Sequence, residues 1–132
     1  MERVLILYDG DCGFCRATLG LLLTWDRRRR FRPVPIQSEE GAELLAQMPQ
    51  AERLASAHAV IAGEPGVVSG GAAAGPVLRE LPAGAPLAAV VERLPGATGR
   101  GYRWVADHRV GLSRFIPPAM KVRADAIVRE RS

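Results

Sequence analysis

Two cysteines separated by two residues are the strongest chemical signal in this sequence. Cys12 and Cys15 are its only cysteines, and they lie in the segment Tyr-Asp-Gly-Asp-Cys-Gly-Phe-Cys. An apolar run at residues 4–8 precedes the pair and an amphipathic pattern follows it, which predicts that the pair begins a helix after a buried strand. Thiol–disulfide exchange needs a reachable thiolate and a second thiol close to it, and this arrangement supplies both.

The position of each cysteine in the helix predicts its role. Cys12 is expected among the unpaired N–H groups of the helix N-terminus, which stabilise a thiolate, so it is the predicted nucleophile. Cys15, one turn later and buried, is the predicted resolving cysteine. Between them, Gly13 keeps the turn open and Phe14 offers an apolar surface for docking a partner or a thiol.

Two aspartates beside the pair carry alternative interpretations. A carboxylate near a thiolate opposes its formation, but either aspartate can instead cap the helix or accept a proton from Cys15. Asp9, at the end of the strand, is the candidate for a catalytic role, and ordinary turn and cap chemistry is the alternative for both. The expected substrate contacts are Asp11, Gly13, Phe14, Gln37 and His58.

Zinc binding is the usual alternative for a C-x-x-C pair, and the rest of the sequence does not favour it. His58 and His108 lie far from the cysteines and from each other, without the local ligand spacing of zinc folds. We therefore expect neither a metal nor an organic cofactor, with glutathione or a thioredoxin system as a candidate source of electrons.

Composition predicts one compact domain outside the membrane. A chain of 132 residues that is 48% hydrophobic can bury a core without disulfides, and no apolar run approaches the ~18 residues of a membrane span. Because Met1, Glu2 and Arg3 lead directly into the first strand, we expect no secretory signal and a cytoplasmic location, where thiols are mostly reduced.

The positive charge is concentrated at the C-terminal end. Residues 100–132 contain eight Lys or Arg residues against three acidic ones, and the whole chain has a net charge of +4. Such a segment can attract nucleic acid, anionic lipid or an acidic partner protein, or it can form a solvated helix surface, and the last interpretation is preferred. The arginines at 27–30 have no aromatic residues among them for stacking, so nucleic-acid binding is not expected.

Hydrophobic periodicity predicts an alternating α/β order. Strands are expected at residues 3–8 and 31–36 and in a hairpin at 57–62 and 67–69, and helices at 12–30, 39–48, 72–81, 86–94, 102–110 and 120–129. Pro33 and Pro35 place the second strand near a sheet edge or at a bulge. The order is that of a thioredoxin-like sandwich with a central four-stranded mixed sheet and flanking helices, although the local pattern alone does not exclude other small α/β folds. Residues 1–132 form a single domain in this interpretation, with a core at 1–82 and a helical extension at 83–132.

With these residues in view, the sequence resembles the DCC family of predicted thiol–disulfide oxidoreductases, named for an aspartate and two cysteines. The family's D-x-x-C-x-x-C falls on Asp9, Cys12 and Cys15, and the likeness continues at residues 31–39, 69–81 and 102–109. The resemblance implies a thioredoxin-like fold and dithiol redox activity on a disulfide-containing protein or a small thiol. Thioredoxins also carry a cis-proline before the third strand that orders the substrate, and residues 55–59 here contain no proline.

Two further functions stay open from the sequence. Cys-Gly-Phe-Cys is close to the Cys-Gly-Phe-Ser of glutaredoxins that carry an iron–sulfur cluster, which suggests a cluster- or metal-binding module. The basic C-terminal quarter suggests a non-enzymatic adaptor for an acidic partner. The sequence does not indicate an oligomeric state.

Overall fold

The computed structural model describes residues 4–131 as a four-stranded mixed sheet with helices on both faces. The strands are β1 (Val4–Tyr8), β2 (Phe31–Pro35), β3 (His58–Ile61) and β4 (Val68–Ser69), in the spatial order β2-β1-β3-β4. β1 runs parallel to β2 and antiparallel to β3, and β3 runs antiparallel to β4. This is the predicted α/β architecture, and it is consistent with a thioredoxin-like fold. Arg3, which the prediction placed in the first strand, lies outside the described residues.

Helices occupy most of the remaining chain. They are α1 (Gly13–Trp25), α2 (Glu39–Leu44), α3 (Gln50–Arg53), α4 (Ala74–Arg79), α5 (Ala85–Arg93), α6 (Pro95–Leu112) and α7 (Pro118–Arg131), with 3₁₀ turns at Gly70–Ala73 and Ser113–Phe115. No helix within residues 4–131 is long and apolar enough to cross a membrane.

Several helix boundaries differ from the prediction, and prolines explain two of the differences. The helix predicted to begin at residue 102 begins at Pro95, because a proline lacks only an N–H that the first helical turn leaves unpaired. Pro76 is accommodated in the first turn of α4 for the same reason. The predicted helix at 39–48 ends at Leu44, and the short α3 after Pro49 was not predicted.

The sheet divides the core into two apolar clusters, one on each face. Side chains of a strand alternate between faces, so Val4, Ile6 and Tyr8 face α1 while Leu7 faces the opposite side. Leu19 and Leu23 of α1 join the first cluster, and the second contains Val34, Ile36 and Leu45. β2 lies at the edge of the sheet, as its prolines predict.

The C-terminal helix α7 packs directly on α1, the helix that begins at the dithiol. A Cβ added to Gly20 of α1 would lie 2.5 Å from the Cβ of Ala124 in α7, so only a glycine permits this close approach. Val128 of the same helix is buried in the first apolar cluster. The last helix of the predicted C-terminal extension therefore contributes to the core and packs against α1.

The connection between α1 and β2 is fixed by one buried carboxylate. The prediction that residues 27–30 close α1 is wrong, because the helix ends at Trp25 and the arginines follow it in a turn. Asp26 is only 1% exposed and accepts hydrogen bonds from the backbone N–H groups of Arg30, at 3.1 Å, and Phe31, at 3.0 Å. It also forms an ion pair with Arg131 at the end of α7. These contacts satisfy two backbone N–H groups of the turn and attach the end of α7 to it.

Candidate functional site

The two cysteines meet at the first turn of α1, where the sequence predicts them. Cys12 is the N-cap of the helix, with an extended backbone, and its Sγ accepts a hydrogen bond from the backbone N–H of Cys15 at 3.3 Å. The Cys12 side chain also acts on the Cys15 thiol, whose pKa it raises. Both cysteines are free and partly exposed. The first turn of α1 therefore holds two adjacent thiols that can bond to each other.

The surroundings hold Cys15 in its protonated form. Burial is the largest cause that raises the pKa of this thiol to about 12, and the hydrogen bond and charge of Cys12 act in the same direction. The guanidinium of Arg109 acts in the opposite direction and lowers the pKa. Cys15 is less buried than predicted, because one side of it lines an open cleft.

Asp9 and Gln37 shape the loop between β1 and the dithiol. Asp9 Oδ1 accepts hydrogen bonds from the backbone N–H of Asp11, at 3.0 Å, and from the Nε2 of Gln37, at 2.7 Å. Gln37 Oε1 accepts the backbone N–H of Gly10 at 3.0 Å. Gln37 therefore supports the loop from the end of β2 and does not line the cleft, while Asp11 is exposed at the turn.

Arg16 supports the same loop from within α1. Its Nη1 donates to the carbonyl of Gly10 at 2.7 Å, and its Nε forms an ion pair with Asp125 of α7 at 2.9 Å. Gly13, the first residue of α1, faces α7 as well, since a Cβ there would lie 3.3 Å from Ser113 Oγ, which the Nζ of Lys121 contacts at 2.9 Å. The C-terminal segment thus determines the position of the dithiol loop.

Arg109 had no predicted role, yet its side chain reaches the dithiol from α6. Nη1 lies 3.8 Å from Cys15 Sγ, and Nη2 lies 3.5 Å from Asp9 Oδ2 and donates to the carbonyl of Leu54 at 3.0 Å. Arg109 thereby contacts both Cys15 and Asp9. The only sequence signal for it is its place in the segment at 102–109 that resembles the family.

A cleft of about 350 Å³ opens beside Cys15, between α1, α6 and the sheet. Its walls are mostly apolar, and Phe14, Cys15 and Asp9 stand among them. The other lining residues are Ile6, Tyr8, Thr18, Leu19, Leu22, Ser56, Ala57, Tyr102, Val105, Ala106 and Arg109. Phe14, predicted as a docking surface, therefore faces a cavity on the same side as Cys15.

The backbone that precedes β3 is occupied by internal contacts. The hydroxyl of Tyr102 accepts the N–H of Ala57 at 2.8 Å, and the Ala57 carbonyl accepts the N–H of Gly70 at 3.0 Å. Burial is the main cause that raises the pKa of Tyr102. This is the segment in which thioredoxins have their cis-proline, and here α6 covers it.

His58 lies apart from the predicted substrate surface. Its ring is 2% exposed, with Nε2 2.8 Å from the Arg53 carbonyl and Nδ1 2.6 Å from Ser69 Oγ. Because a carbonyl only accepts, Nε2 carries the hydrogen and Nδ1 accepts from the serine hydroxyl. We correct the expectation accordingly: His58 ties β3 to β4 and to α3, and it is left out of the substrate contacts.

Neither histidine joins the cysteines. His108 stacks on Trp104 on the exposed side of α6, with ring centroids 4.4 Å apart. Among residues 4–131 no group of three or more His, Cys, Asp or Glu side chains is arranged to hold a metal ion.

Part of the basic C-terminal segment is used inside the fold. Arg109 pairs with Asp9, and Arg131 pairs with the buried Asp26. Lys121 donates to Ser113 beside the dithiol loop. These three cations make contacts within the molecule, whereas the other five of residues 100–131 are exposed to solvent, as expected: Arg100, Arg103, Arg114, Arg123 and Arg129.

Comparison with known proteins gives one match, to a family. The model of the DCC1-like thiol-disulfide oxidoreductase family matches residues 6–115. The matched span begins in β1 and ends in the 3₁₀ turn after α6, so it includes the dithiol, Gln37 and Arg109. No curated protein and no solved structure is similar enough to match.

Proposed function

From the premise that this chain belongs to the DCC1-like thiol-disulfide oxidoreductase family, we propose that it exchanges disulfides with Cys12 as nucleophile and Cys15 as resolving thiol. One observation carries the proposal, which is the different environments of the two sulfurs. Cys12 Sγ accepts a backbone N–H at the helix N-terminus, whereas burial and Cys12 together raise the pKa of Cys15 to about 12.

In the first step, the Cys12 thiolate attacks one sulfur of the substrate disulfide. A bond forms between Cys12 Sγ and that sulfur, the substrate S–S bond breaks, and the other sulfur leaves as a thiolate that takes up a proton. The N–H of Cys15 and the positive end of the α1 dipole stabilise the attacking thiolate.

In the second step, Cys15 attacks Cys12 Sγ and releases the substrate as a thiol. The mixed disulfide removes both the charge of Cys12 and its hydrogen bond, which are two of the three causes that raise the pKa of Cys15. Arg109 remains beside the Cys15 sulfur and favours its thiolate. The Cys15 thiol therefore ionises more readily once Cys12 is bound in the mixed disulfide.

Asp9 is the candidate acceptor for the Cys15 proton. It lines the same cleft as Cys15, and both contact Arg109. The pair of hydrogen bonds to Asp9 Oδ1 fixes the carboxylate while Oδ2 faces the arginine.

The substrate in this proposal is a disulfide or thiol, and a small thiol or a thioredoxin system returns the electrons. Phe14 is the proposed substrate contact within the cleft, and Asp11 and Gly13, which flank Cys12 in the chain, are proposed as further contacts.

Trapping of the intermediate tests the assignment. Cys15→Ser should accumulate a mixed disulfide on Cys12 when the reduced protein meets bis(2-hydroxyethyl) disulfide, and intact-mass spectrometry detects the adduct. Cys12→Ser should form no such adduct at the same time points. Equal and slow alkylation of both thiols at neutral pH would contradict the assignment.

A further inference from the structure

The cleft beside Cys15 gives the proposed reaction a substrate class. Resting on the proposed thiol exchange, we propose that the cleft binds the body of a small, uncharged aliphatic dithiol or its disulfide, with one sulfur of that molecule at Cys12. The cavity of about 350 Å³ falls within the range of roughly 300–1,000 Å³ that small-molecule sites occupy.

The walls of the cleft favour hydrocarbon. Ile6 from the sheet, Leu19 and Leu22 from α1 and Val105 from α6 face the cavity, and these side chains offer no hydrogen-bonding group. A ligand with an aliphatic body would displace water from them and bury its own apolar surface, which drives binding.

The charges at the cleft favour an uncharged ligand. Its charged lining residues are Arg109 and Asp9, which already form an ion pair, and Arg109 also donates to the Leu54 carbonyl. A charged tripeptide such as glutathione would lose hydration on entering these walls without gaining a free counter-charge. The cleft therefore favours an uncharged thiol over glutathione.

The occupied backbone before β3 disfavours an extended peptide. A peptide that added to this segment would need the N–H and the carbonyl of Ala57, and these bind the Tyr102 hydroxyl and the Gly70 N–H. A small molecule that binds between the side chains of the cleft leaves these hydrogen bonds intact.

The reaction with such a dithiol needs no further reactant, because its two thiols supply both of the electrons that reduce the protein disulfide. One thiolate attacks Cys12 Sγ of the oxidised protein, the Cys12–Cys15 bond breaks, and Cys15 leaves as a thiolate that takes up a proton. The second thiol of the ligand loses its proton and attacks the ligand sulfur bound to Cys12, closing a cyclic disulfide and releasing Cys12. Two electrons pass from the ligand to the protein, and the reverse sequence returns them.

Binding is tested with a probe that contains no sulfur. Octanamide, an uncharged eight-carbon amide, is titrated into the reduced, isotope-labelled protein and followed by NMR. We expect shifts concentrated at Leu19, Leu22 and Val105, and roughly fivefold weaker binding in Val105→Asn, because an amide replaces hydrocarbon in the wall. Val110→Asn is the matched control, since Val110 lies on the same helix, is 75% exposed and does not line the cleft.

Reactivity is tested with two dithiols that both close to cyclic disulfides. Dihydrolipoamide carries an uncharged aliphatic amide, and dithiothreitol carries only two hydroxyls. We expect Val105→Asn to slow reduction of the oxidised protein by dihydrolipoamide roughly fivefold more than it slows reduction by dithiothreitol. Val110→Asn should leave both rates at the wild-type value.

The two measurements separate the cleft from the chemistry. Absence of octanamide shifts at the cleft, or equal effects of Val105→Asn and Val110→Asn, would overturn the cleft assignment. Octanamide binding in a protein whose cysteines form no disulfide would leave the cleft a ligand site and overturn thiol exchange itself.

Discussion

The Nη1 atom of Arg109 lies 3.8 Å from the Sγ of Cys15, although 94 residues separate them in the chain. α6 brings the arginine across the cleft, where its other nitrogen faces Asp9. The cation opposes the burial that raises the pKa of Cys15. Arg109 is therefore the side chain that favours the thiolate of Cys15 against burial and Cys12.

Replacement of Arg109 should slow the second step of exchange. Arg109→Gln removes the contribution that lowers the Cys15 pKa, so less thiolate forms at a given pH, and a rise of one pKa unit reduces it about tenfold. The mixed disulfide on Cys12 should then accumulate in quenched-flow mass spectrometry, while its rate of formation is unchanged. Arg103→Gln, on an exposed position of the same helix, is the control and should not accumulate it. Equal accumulation in both variants would remove Arg109 from the mechanism.

The ionisation of Cys15 should depend on Cys12. Cys12→Ala deletes the hydrogen bond and the charge that raise the Cys15 pKa, so the pKa should fall below about 12 while burial keeps it above the ordinary thiol value. Alkylation of Cys15 by iodoacetamide, followed from pH 7 to pH 11, should therefore rise at lower pH in the variant than in the wild type. An unchanged profile would mean that the two thiols titrate independently.

The buried ion pair at Asp26 should matter far more for stability than a surface pair of the same α7 segment. Asp26→Ala leaves Arg131 without its partner and two backbone N–H groups unsatisfied, and removal of one member of a buried pair costs about 3–5 kcal/mol. Glu130→Gln breaks the exposed pair with Arg29 and should change the free energy of unfolding by no more than about 1 kcal/mol. Urea denaturation compares them, and similar losses would contradict the structural role of Asp26.

Close packing of α7 on α1 should make Gly20 intolerant of a side chain. Gly20→Ala places a Cβ 2.5 Å from the Cβ of Ala124, and overpacking of this kind costs about 1–3 kcal/mol. The control, Gly101→Ala in α6, meets nothing within 4 Å and should stabilise the protein by about 0.5–1 kcal/mol through helix propensity. Thermal unfolding followed by circular dichroism distinguishes the two. Stabilisation by both substitutions would show that α7 does not lie against α1.

Local signals were enough to predict the half of the site that is contiguous in sequence. The apolar run before the cysteines and the amphipathic pattern after them predict β1 and α1, and the turn between them carries Asp9 and Cys12. Pro33 and Pro35 predict the edge position of β2 because a proline has no N–H to donate to a neighbouring strand, and an inner strand needs such donors toward both of its neighbours. Each of these inferences depends on residues within one element.

The other half depends on tertiary packing, which a single sequence does not reveal. Arg109 and Tyr102 face the cleft because of the way α6 packs on the rest of the fold. The periodicity of the sequence therefore does not reveal which residues they contact. His58 shows the converse error, because a histidine near a predicted strand has the same sequence signature whether it faces a substrate or is buried. Its two internal hydrogen bonds decide the question.

The reduction potential of the Cys12–Cys15 pair is the most direct measurement of the central claim. The protein is equilibrated with glutathione buffers of graded ratio, and the free thiols are counted by alkylation and intact mass. We expect a reversible intramolecular disulfide with a potential in the cytosolic range, between about −220 and −320 mV. Failure to form any Cys12–Cys15 disulfide in a fully oxidising buffer would contradict the proposed exchange reaction.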